Sequence, residues 1–82
     1  MTKEHKSDLI KGLNFHIKNA IDAKDRWKFT DGYVKAAYEA AYAVAGQLLA
    51  YGVTQEEVDV LIENAIELAK ETIEQERAEM LA

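Results

Sequence analysis

Two histidines, one serine and a row of glutamates are the residues of this sequence whose types could support chemistry. A carboxylate-bridged metal site needs Glu-x-x-His pairs on facing helices. Neither His5 nor His16 is preceded at that spacing by a glutamate. His16 falls at the edge of an apolar stripe and reads as a boundary residue, and His5 lies among charged neighbours and reads as solvated. Ser7 has no oriented base near it in sequence. The absence of cysteine excludes a thiolate ligand, a cysteine nucleophile and a disulfide framework. No glycine-rich phosphate loop occurs. The expectation is a protein without catalytic residues, cofactor or metal.

The glutamates carry more information. Glu56, Glu63, Glu67 and Glu74 recur at intervals that place them on one strip of a helix. Residues 1–35 hold eight basic and five acidic side chains, and residues 36–82 hold two and ten. The first part is mildly basic and the rest strongly acidic. Two readings follow: the helices pair side by side with complementary edges, or the acidic strip receives a basic partner. Phosphates would be repelled by this strip, so direct binding to nucleic acid is disfavoured.

The elements that position these residues are helices. The chain of 82 residues has no proline and only four glycines, and alanine, glutamate, leucine and lysine favour helix. Leu9, Ile10, Leu13, Ile17, Ala20 and Ile21 form one stripe over a first helix at about residues 4–27, capped by Thr2 or Ser7. Gly12 inside it suggests close approach of another backbone. A second helix spans about 31–51, with Thr30 as N-cap, Phe29 stapled on Val34 and Gly52 as its stop. A third spans about 54–80. Thr54-Gln55-Glu56-Glu57 is its capping box, with Val53 and Val58 as a staple, and Val58, Leu61, Ile62, Ala65, Ile66, Ala69 and Ile73 form its stripe. Short links between the helices predict an all-α, up-down-up three-helix bundle forming a single domain.

The second helix is apolar over more than half of its circumference, with Tyr33, Tyr38, Tyr42, Tyr51 and many alanines. Such a helix is expected to be buried on two sides: centrally, between its two neighbours, or partly against a second copy of the chain. A domain this small has a thin core, which oligomerisation commonly completes. Phe15 and Val60 project away from their stripes. With Tyr42 and the four glutamates they make up the candidate partner-binding residues, since aromatic side chains dominate binding hot spots.

Residues 49–58, Leu49-Ala50-Tyr51-Gly52-Val53-Thr54-Gln55-Glu56-Glu57-Val58, resemble the turn and second helix of helix-turn-helix proteins. The resemblance implies a DNA-reading helix, yet Gln55, Glu56 and Asp59 would face the phosphates. A helix stop followed by a capped helix produces the same string.

The uncharged run over residues 40–53 is shorter than the roughly 20 residues a membrane helix needs. No apolar segment follows Lys3 and Lys6, so no secretory leader is expected and a cytoplasmic location is. The function expected is that of a non-enzymatic helical module that binds another protein and self-associates. The alternative is an acidic inhibitor or nucleic-acid mimic of a phage or mobile element, directed at a basic host protein.

Overall fold

The computed structural model describes residues 2–25, 28 and 31–81. They form three helices: α1 (Lys3–Asp25), α2 (Asp31–Ala50) and α3 (Gln55–Leu81). Thr2 caps α1: its Oγ1 accepts the His5 N–H at 3.1 Å and its carbonyl accepts the Lys6 N–H at 3.1 Å. This decides between Thr2 and Ser7. Thr54 caps α3 by accepting the Glu57 N–H at 3.1 Å. The Glu57 carboxylate does not reach back to complete the box; it accepts a hydrogen bond from Lys6 Nζ at 2.6 Å, trading a local contact for one between helices. Thr30, the Phe29–Val34 staple and the end of the first helix at residues 26–27 lie outside the described residues.

The stop of α2 is a Schellman motif. Val53 N–H donates to the Leu48 carbonyl and Gly52 N–H to the Leu49 carbonyl, each at 3.0 Å, and Gly52 adopts φ +96°. The motif pairs an apolar residue on each side of the turn. Here these are Leu48 and Val53, both buried, so the stop signal is also a core contact.

Helix directions follow from the contacts. Lys6 meets Glu57 and Lys18 meets Glu76, so α1 and α3 run parallel. His5 packs edge-on against Tyr51 with ring centroids 5.0 Å apart, and Gly12 lies opposite Val44, so α2 runs antiparallel to α1. The result is an up-down-up helical bundle.

The middle helix is not its hub. Helix α1 packs against both neighbours, whereas α2 and α3 barely touch. Only Ala41, Ala45 and Leu48 of α2 are buried, and Tyr33, Tyr42, Leu49 and Tyr51 are exposed. This overturns the expectation of an α2 enclosed by its neighbours. The apolar character of α2 comes largely from alanines, which offer little area to bury, and from tyrosines, whose hydroxyl tips tolerate water. In α1 the longer side chains of Leu13, Ile17 and Ile21 are buried and reach both partners. Nor does Gly12 admit another backbone: a Cβ there would meet Val44 Cγ2 at 4.0 Å, an ordinary contact.

The core joins Leu13, Ile17 and Ile21 to Leu48, Val53, Val58 and Ile73. Six of the thirteen buried residues among those described are alanines, so the helices approach closely over a thin apolar layer. No polar or charged residue among those described is buried. The molecule is long and flat, 43 × 27 × 19 Å. Its radius of gyration is 13.7 Å, against about 11.7 Å for a compact chain of this length.

Candidate functional surfaces

Because α2 and α3 diverge over α1, a furrow opens between them. Its floor is Leu13 and Ile17 of α1. Its walls are Tyr38, Ala41 and Tyr42 of α2 and Ile62 and Ile66 of α3. The lining is almost wholly apolar, and the furrow holds only about 30 Å³. Sites for small molecules occupy about 300–1,000 Å³, so this is a contact surface rather than a pocket. Tyr42, 62 % exposed, stands on its rim. The Tyr38 hydroxyl is pushed above the ordinary phenol value of 10.0, first by burial and then by the nearby Tyr42 and Asp25, whose charges disfavour the phenolate.

At the end where α1 finishes and α2 begins, Lys24, Lys28 and Lys35 surround Val34 and Tyr38, with Asp31 beside them. At the opposite end the early turns of α3 carry Asp59, which is exposed. Gln55 Nε2 donates to Asp59 Oδ1 at 2.9 Å, which holds that carboxylate on the helix surface.

The remaining candidate residues fall on other faces. Phe15 is 60 % exposed on the far side of the α1–α3 seam, where it shares a shallow cleft with Lys18, Leu68 and Thr72 and packs edge-on against His16 at 5.5 Å. Glu56, Glu63, Glu67 and Glu74 are all exposed on the outer face of α3, with Val60, 53 % exposed, among them. Tyr42 therefore belongs to one surface, Phe15 to a second and the acidic strip with Val60 to a third. Part of the charge segregation is spent within the chain. Lys6–Glu57 at 2.6 Å and Lys18–Glu76 at 2.9 Å tie α1 to α3, as the side-by-side pairing of basic and acidic helices predicts. None of the four strip glutamates joins an ion pair among the described residues.

The furrow itself was not legible in the sequence. Ile62 and Ile66 read there as plain core stripe, and Leu13 and Ile17 likewise. Only the splay of α2 from α3 leaves Ile62 and Ile66 half-buried beside a groove, with the buried Leu13 and Ile17 beneath it. Tyr42 was the one furrow residue marked by its type and position.

Among the described residues, no group of three or more His, Asp or Glu is placed to hold a metal ion, and no helix is long and apolar enough to cross a membrane. Compared with models of protein families, with curated proteins and with solved structures, the chain matches none.

Proposed function

We propose that this protein is a small, non-enzymatic helical module that acts by binding protein, and that it self-associates. The observation that carries this reading is its incomplete enclosure. A compact monomer of 9.2 kDa exposes about 4,900 Å²; this chain exposes 5,724 Å². The surplus is accompanied by exposed tyrosine and leucine on α2, next to an apolar furrow. Large exposed apolar areas mark interaction sites. Sedimentation equilibrium over a low- to high-micromolar series tests the reading, together with melting at the same concentrations. A self-associating chain gains mass and its melting temperature rises with concentration. A monomer of constant mass and constant melting temperature overturns the self-association.

A second reading is favoured by the unpaired strip Glu56, Glu63, Glu67 and Glu74: an acidic inhibitor or nucleic-acid mimic, as a phage or mobile element would encode, docking on a basic host protein. Binding of that kind weakens steeply with ionic strength, because exposed charges are screened within about 10 Å at 0.1 M salt. Apolar docking is far less sensitive to salt.

A further inference from the structure

We draw no further inference here: the strongest candidate, the apolar furrow that Tyr38 and Tyr42 of α2 and Ile62 and Ile66 of α3 form over α1, carries nothing, because nothing in the structure shows what covers it.

Discussion

Gly52 shows how a single residue fixes the turn between two helices. Its φ of +96° lies in the region where a side chain clashes with the backbone, and no atom of another residue lies near the missing Cβ. Gly52→Ala is therefore expected to destabilise the fold by about 1 kcal/mol through backbone strain alone, measurable by urea denaturation with an unchanged slope. The Tyr38 phenol supplies a second prediction at this scale. Its pKa is raised in the folded state, so folding favours the protonated form. That contribution is complete below the ordinary phenol value of 10.0 and is lost as pH rises through the raised value. Melting temperature should fall above pH 10, and less so in Tyr38→Phe, which removes the titrating group; equal falls in both proteins would show that other groups govern the alkaline limb. Gly52 and Thr54 were legible in the sequence because caps and stops demand particular residue types. Thr2 and Ser7 were not separable, since either hydroxyl can precede a first turn, and nothing about the lysine type signals the φ of +55° at Lys28.

At the scale of the helix, hydrophobic periodicity identified which residues are buried but not which neighbours bury them. The stripes of α1 and α3 end up in the core much as their spacing predicts, with Leu13, Ile17 and Ile21 facing Val58, Ala65, Ala69 and Ile73. What misled was the breadth of the apolar arc on α2. Counting alanine as apolar overstates how strongly a helix seeks burial, because driving force follows area, at about 25 cal/mol per Å². The helix with the long aliphatic side chains became the hub instead. The same reasoning ranks two substitutions on α1. Leu13, 1 % exposed, touches the centre of the core, and Leu13→Ala should cost about 2–5 kcal/mol, a large fraction of the stability available to so small a domain. Phe15, two positions on and 60 % exposed, should tolerate Phe15→Ala with a change within about 0.5 kcal/mol. Thermal melts of the two variants side by side check this ranking, and a large drop for Phe15→Ala would place that ring in the core.

For the molecule as a whole, charge rather than apolar area decides how stability responds to salt. The net charge is −5, and the excess acid is concentrated on α3. Glu63, Glu67 and Glu71 follow one another at four-residue intervals, and like charges at that spacing destabilise a helix by about 0.2–0.5 kcal/mol per pair. Opposing them are the Lys6–Glu57 and Lys18–Glu76 bridges. Both bridges are about one third exposed or more, which holds such pairs to about 0–1 kcal/mol each. Salt screens both sets. The repulsions are the more numerous, since Asp59–Glu63, Glu63–Glu67, Glu67–Glu71 and Glu71–Glu74 all fall at three- or four-residue spacing against two bridges, so they are taken as the larger contribution. Raising ionic strength should therefore raise the melting temperature of the monomer by a few degrees, read by circular dichroism at a concentration where mass is monomeric. A fall would mean that the two bridges outweigh the self-repulsion. Binding of a basic partner to the acidic strip would respond in the opposite direction, weakening as the fold strengthens. The sign of the salt effect on binding, set against its sign on folding, thus separates recognition by the acidic face from apolar docking.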